Sequence, residues 1–276
     1  MNTILESLLY KAIIAAVAAG KEILEVYETN FNVEYKEDKT PLTLADQRAS
    51  LKIIELLADS NIPVLSEEGE HFTYEKRKTL EYLWIVDPLD GTKEFVKRNG
   101  EFTVNIALVH NGHPIAGVIY TPVFKDIYFA AEGLGSFKIY HHDFMGLMDN
   151  LNSLSLSRLI LLAKKLPGVS YPEIYTVVAS RSHMSTETFN YIDELKLKHN
   201  TVNIVNTGSS IKMCWVAEGL ANEYPRFGPT MEWDTAAGQA ILENAGAELI
   251  DFETKKPMQY NRPELRNKWF IAKNKS

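Results

Sequence analysis

Residues 84–95, WIVDPLDGTKEF, run from an apolar strand directly into two carboxylates, Asp87 and Asp90, with no basic residue between them. Tyr82 to Val86 are apolar enough for a central strand. Pro88 lacks the N–H for another ladder hydrogen bond and is expected to turn the chain out of the sheet. Asp87 would then sit at the C-terminal edge of a strand, where α/β proteins gather ligands. Gly91 permits a tight turn, and Thr92 can begin a short helix whose free N–H groups favour anions. Two carboxylates this close repel each other unless a cation lies between them, and hard oxygen ligands suit magnesium. The plainer alternative is that both aspartates cap turns, as Asp often does beside Pro and Gly.

Outward from this stretch, other acidic residues also fall at element boundaries. Glu67 and Glu68 in LSEEG follow a strand, Asp46 in TLAD lies in the first turn of a helix, and Asp234 in EWDTAAG begins another. The helix from Thr43 to about Asp59 carries Leu51, Ile54, Leu57 and Ala58 as its apolar side. VNIALVHNGHPIAGVIYTP reads as a hairpin, with Asn111 and Gly112 supplying the positive φ angles of its turn. DIYFAAE and GSFKIY extend this antiparallel sheet, and SRLILLAKKL reads as a short amphipathic helix. Beyond it, IYTVVAS, TVNIVNT and KWFIAK read as strands, while SIKMCWVAEG and WDTAAGQAILENAG read as helices, the second ended by Gly246. The pattern predicts a mixed α+β and α/β chain with an N-terminal lobe over 1–142, a bridging or inserted segment over 143–172, and a C-terminal α/β lobe over 173–276.

The chain is 276 residues long with a formal net charge of -7, which argues against binding nucleic-acid polymers through their phosphates. Its single cysteine, Cys214, forms no internal disulfide, and no CxxC pair suggests zinc; a reducing cytoplasm fits. AIIAAVAAG could pass for the apolar part of a secretory signal. The periodicity continues through Ile23, Leu24 and Tyr27, and Thr3 with Glu6 reads as a capping box, so the segment is expected to be an amphipathic helix. No apolar run reaches the roughly 18 residues of a spanning helix.

LTLAD, SEE, DPLDGT and WDTAAG, in that order, resemble the signature of the magnesium-dependent, lithium-sensitive phosphatases typified by inositol monophosphatase, and the resemblance covers nearly the whole chain. DPLDGTKEFVKRNGEFTVNIAL, SRSH and GSSIKMCWVAEGLANEYPRFGPTMEWDTAAGQA are similar to the 3'(2'),5'-bisphosphate nucleotidase branch, of the CysQ type. The resemblance implies a layered αβαβα sandwich and hydrolysis of 3'-phosphoadenosine 5'-phosphate to AMP and phosphate, with its sulfated precursor as a further substrate. It also implies inositol or fructose phosphates as rival substrates, a catalytically silent nucleotide sensor as a rival class, a monomer or homodimer, and in some relatives peripheral attachment to the inner membrane.

By position, the resemblance implies that Glu67, Asp87 and the backbone carbonyl of Leu89 hold one magnesium ion. Asp87, Asp90 and Asp234 hold a second, and a weaker third lies near Glu67. Asp46 and Thr92 match the pair that orients the attacking water, with Glu67 beside them. Gly91, Thr92, His183, Gly208, Ser209, Lys212 and Asp234 match substrate contacts. Read from the residues alone, the serine of Gly208–Ser209–Ser210 at the head of the SIKMCW helix could equally be an ordinary N-cap and His183 a surface histidine. Lys93, Lys97 and Arg98 either attract a polyanion or solvate a helix face. Tyr224 and Phe227 either line an adenine pocket or pack the core, and Lys36 to Thr40 form either a loop over the site or an ordinary turn.

Overall fold

The structure, a computed structural model, describes residues 3–30, 33–35, 41–69, 72–143, 151, 153–180 and 184–275. In chain order the elements are α1 (Thr3–Tyr27), β1 (Glu34–Tyr35), β2 (Pro41–Leu42), α2 (Leu44–Leu57), β3 (Val64–Ser66), α3 (Tyr74–Arg77), β4 (Tyr82–Asp90), α4 (Thr92–Val96), β5 (Thr103–His110), β6 (His113–Thr121), β7 (Asp126–Ala131) and β8 (Gly135–Ile139). They continue with α5 (Leu156–Leu162), β9 (Lys164–Lys165), β10 (Tyr175–Ser180), α6 (Thr186–His199), β11 (Val202–Thr207), α7 (Ile211–Glu218), β12 (Glu223–Arg226), α8 (Glu232–Asn244), β13 (Ala247–Asp251) and β14 (Phe270–Asn274).

A seven-stranded sheet, in the order β3-β4-β5-β6-β7-β8-β9, and a five-stranded sheet, β11-β10-β12-β14-β13, dominate the molecule. Helices α1 and α2 cover the outer face of the larger sheet, α7 and α8 fill the space between the sheets, and α6 lies outside the smaller one. This is the expected αβαβα layering. Strand alternation explains it: Trp84 and Val86 of β4 face α1 and α2, whereas Leu83 and Ile85 face the middle helices and the second sheet. Asn111 and Gly112 take φ values of 49° and 81°, so the β5–β6 hairpin turns where the sequence indicated. In the 143–172 stretch, β9 joins the edge of the larger sheet and α5 places Leu156 and Leu159 in its outer core. Most of HHDFMGLMDN lies outside the described residues.

Three expectations need correction. The buried side of α2 is not the one carrying Leu51 and Ile54, which are 69% and 40% exposed; Ala45, Asp46, Ala49, Ser50, Ile53 and Leu57 are inside. Ala45, Ala49, Ile53 and Leu57 form one i, i+4 row on the inner side, and Asp46 and Ser50 lie one position along from it, so Asp46 is carried inward with them. Next, β4 does not end at Asp87. Its pairing with β5 resumes at Asp90 opposite Thr103 after an irregularity between Asp87 and Asp90, so Pro88 and Leu89 are absorbed as a bulge. Finally, α1 is by length and composition apolar enough to cross a membrane. In the fold its Leu9, Ile13, Ala16 and Ile23 are fully buried in the outer core.

Helix α8 lies against β6 so closely that a Cβ on Gly117 would come within 2.5 Å of the Ala237 carbonyl oxygen. Gly117→Ala must push the helix off the sheet, and overpacking of this kind costs about 1–3 kcal/mol. At about 2–4 °C per kcal/mol for a chain of this size, thermal melting is expected to shift downward by several degrees. An unchanged melting curve would contradict this packing.

Candidate active site

The end of β4, the start of α4, the turn before α7 and the start of α8 converge on one cavity of about 880 Å³. Each acidic residue arrives by its own local logic. Glu67 follows β3, with its N–H still bonded to the Val86 carbonyl at 3.1 Å. Asp87 is buried at the bulge, where its Oδ1 accepts from the Leu89 N–H at 3.0 Å. Asp234, the third residue of α8, accepts from the Met231 N–H at 2.8 Å and so caps its own helix. Asp87, Asp90 and Asp234 each offer an oxygen within 4.8 Å of the others.

Such a cluster is electrostatically unfavourable by itself. Burial, then the charges of Glu67, Asp90 and Asp234, pushes the Asp87 carboxyl well above the usual range. Asp234 is raised by burial and by Asp90, and Asp90 is pushed up to about 6 by burial although Lys212 and the Ser210 N–H oppose the change. An all-oxygen donor set with excess negative charge is what a hard divalent cation requires, and these three side chains could hold one.

Behind the cluster, Asp46 is buried and accepts from the Thr43 N–H at 2.7 Å and the Thr43 hydroxyl at 2.6 Å. The Thr92 hydroxyl stands 3.3 Å from Asp46 Oδ1 and 3.3 Å from the Leu89 carbonyl. Burial, reinforced by Glu68 and Glu67, pushes Asp46 up to about 6 against the Thr43 hydrogen bonds. A carboxylate with that pKa can take a proton near neutrality. Thr92 is placed to pass one to it.

A model of the inositol monophosphatase family matches residues 4–275. The chain belongs to the inositol monophosphatase family. Among related chains of the family, the 3'(2'),5'-bisphosphate nucleotidase CysQ of Salmonella typhimurium is 44% identical over 241 residues, covering 86% of this chain and 87% of that protein. The CysQ nucleotidase of Escherichia coli K12 is 42% identical over 250 residues, covering 89% and 91%. The crystal structure of CysQ from Bacteroides thetaiotaomicron, a bacterial member of the inositol monophosphatase family, superposes with a TM-score of 0.91 at 48% identity over 100% of both chains.

The rest of the cavity wall comes from both halves of this family fold. Gly91, Thr92, Gly208, Ser209 and Lys212 all line it, together with Glu67, Asp87, Leu89, Asp90 and Asp234. Gly208 must be glycine, because a Cβ there would lie 2.6 Å from the Glu101 carbonyl oxygen. Lys212 is buried beneath this turn, and burial lowers its ammonium to about 8 although Asp90 pulls the other way. The simple helix-cap reading does not hold for Ser210. Its side chain makes no cap bond to α7; the hydroxyl donates instead to Asn105 Oδ1 at 2.7 Å. His183 and residues 36–40 lie outside the described residues.

The basic run after Thr92 divides. Lys93 lines the cavity, but Arg98 donates to the carbonyls of Tyr27 and Thr29 beyond the end of α1, so it braces α4 rather than facing a ligand. Tyr224 and Phe227 also part company. Tyr224 lines the cavity, while Phe227 packs among Tyr191, Phe252 and Trp269. Reading the residues missed Ser180, Arg226, Thr230, Trp233 and Arg266, which also line the cavity. Arg226 was within reach, because the period of two that brings Tyr224 inward carries Arg226 to the same face of β12.

Proposed function

We propose that this chain is a metal-dependent phosphomonoesterase that hydrolyses 3'-phosphoadenosine 5'-phosphate to AMP and phosphate, with its sulfated precursor as a second substrate of the same site. The observation that carries the reading is the pairing, in one cavity, of the Asp87–Asp90–Asp234 cluster with the cationic side chains of Lys212 and Arg226. Lys212 and Arg226 act on Asp90 and Asp234, so a polyanionic substrate meets positive charge beside the cation ligands. The nucleotidase relatives, at 42–44% identity over most of the chain, support the same substrate class.

In this reading Glu67, Asp87 and the Leu89 carbonyl would hold one magnesium ion, and Asp87, Asp90 and Asp234 would hold a second. Bound there, the ions supply Lewis-acid stabilisation of the phosphoryl and leaving oxygens and acidify the attacking water. The chain supplies the remainder. Thr92 and Asp46 would orient the attacking water and take up its proton, their 3.3 Å contact forming a path from the cavity to a carboxylate raised to about 6. Gly91 and the Gly208–Ser209 turn let backbone N–H groups approach the phosphate closely. Lys212 and Arg226 neutralise the second phosphate, which separates a bisphosphate nucleotide from a monophosphate. The buried, unpaired thiol of Cys214 fits a reducing compartment, which we take to be the cytoplasm.

Thr92→Ala is expected to lower kcat by about 10²–10⁴-fold, the usual worth of a positioned proton-transfer group, and Thr92→Ser to restore most of it. Equal losses in both variants would remove the hydroxyl from the mechanism. The reading as a whole is tested by phosphate release from 3'-phosphoadenosine 5'-phosphate, inositol 1-phosphate and fructose 1,6-bisphosphate, each with and without magnesium and lithium. Magnesium-dependent, lithium-inhibited preference for the nucleotide is expected. Preference for inositol or fructose phosphate would overturn the substrate assignment, and nucleotide binding without turnover would overturn the enzymatic one.

A further inference from the structure

Asp90 is gripped from one side. Its Oδ2 accepts from the Ser210 N–H at 2.6 Å and lies 3.4 Å from Asn105 Nδ2 and 3.5 Å from Thr103 Oγ1. The three partners also hold one another. Ser210 Oγ donates to Asn105 Oδ1 at 2.7 Å and sits 2.8 Å from Thr103 Oγ1, which stands 3.0 Å from Asn105 Oδ1. All three are buried. Thr103 and Asn105 are alternate residues of β5, so they share a face, and they lie in register opposite Asp90 and Asp87. Ser210 reaches them from a point 120 residues beyond Asp90, at the head of α7.

Among the described residues every hydrogen bond to the Asp90 carboxylate goes to Oδ2, so Oδ1 is the oxygen left for a cation. A carboxylate with one oxygen held by a short N–H bond and flanked by two further polar groups is biased to one geometry, whereas a free one must be ordered at the moment of binding. We propose that Thr103, Asn105 and Ser210 are positioning residues that hold Asp90 as a one-oxygen ligand and thereby set the affinity of the Asp87–Asp90–Asp234 cluster for a divalent cation. The inference rests on the reading of Asp90 as a metal ligand. It adds Thr103 and Asn105, which stand behind the cavity wall, and Ser210, which lines it, and it makes the turn before α7 part of the cation site.

The test is calorimetric titration of the full chain with manganese, alongside melting curves and steady-state kinetics. Thr103→Val keeps the shape and removes the hydroxyl, and Ser210→Ala keeps the N–H donor and removes only Oγ. Each is expected to weaken manganese binding by about 10-fold, and Asn105→Ala by up to about 100-fold, the range seen when partners of metal ligands are removed. Thr103→Ser is expected to bind as the unaltered chain does. In Thr103→Val, kcat should recover as magnesium is raised, a rescue that simple loss of packing would not give. If the unaltered chain binds manganese and folded Thr103→Val and Asn105→Ala bind it equally well, the inference fails while the metal reading stands. If the unaltered chain takes up no manganese, both fail.

Discussion

Asp90→Asn is expected to reduce turnover of 3'-phosphoadenosine 5'-phosphate by about 10³-fold while the chain stays folded. Asparagine is close in shape and keeps an oxygen for the Ser210 N–H, which donates to Asp90 at 2.6 Å. It loses the negative charge, and one end of its side chain becomes an NH₂ donor. In the cluster with Asp87 and Asp234 that NH₂ would face the cation instead of an oxygen. Removing one preorganised electrostatic partner of a developing charge costs about 10²–10³-fold in kcat, and weaker cation binding adds to that. Steady-state kinetics at saturating magnesium, with a melting curve on the same sample, checks it. Near-normal kcat with a collapsed melting temperature would make Asp90 a structural residue.

The same substitution is expected to stabilise the metal-free protein at neutral pH. Asp90 titrates near 6 in the folded chain instead of its ordinary 3.8, mainly through burial, and Asp46 is displaced in the same direction to about 6. Between about pH 4 and 6 the folded chain therefore holds protons that the unfolded chain has already released. For these two groups stability falls as pH rises through that window, and their share of the loss is complete above it. For Asp90 the displacement corresponds to about 3 kcal/mol as an upper figure, which at about 2–4 °C per kcal/mol and after allowance for partial solvent access gives roughly 5 °C. With chelator at pH 7.5, Asp90→Asn should melt about that much higher than the unaltered chain, and at pH 4 the two should coincide. Magnesium should raise the melting point of the unaltered chain at pH 7.5 and that of the variant far less. A metal-free unaltered chain that melts as high as the variant at pH 7.5 would show that the cluster carries no such penalty.

Much of this architecture is legible in the residues because the core obeys local periodicity. The hairpin at Asn111–Gly112, the strands that flank it and the long helix that opens on Asp234 follow from alternation and turn chemistry alone. The acidic residues could be picked out because charge at the end of an apolar strand has few structural uses. What escaped depends on packing between distant segments. The inner side of α2 is the row Ala45, Ala49, Ile53 and Leu57 rather than the one carrying Leu51 and Ile54, which lie exposed. Pro88 does not stop β4, because pairing with β5 resumes beyond it at Thr103. Arg98 serves the end of α1, and Asn105 and Ser210 meet across a separation of 105 residues, a contact that no local pattern announces.

Helix α8 carries Asp234 at its first turn and lies between the two sheets, contributing to a core that joins Leu83 and Ile85 of the larger sheet to Leu249 and Ala272 of the smaller. Each sheet also has apolar residues of its own on the far side, but the inner faces share a single core, so the inner face of neither sheet can be exposed without opening the packing around that helix. A ligand that enters the cavity and bonds to the head of α8 therefore grips the seam of the whole molecule, and its binding energy is added to the barrier against global opening. Backbone amides in the middle of α8 should consequently exchange with solvent only as fast as the entire chain unfolds.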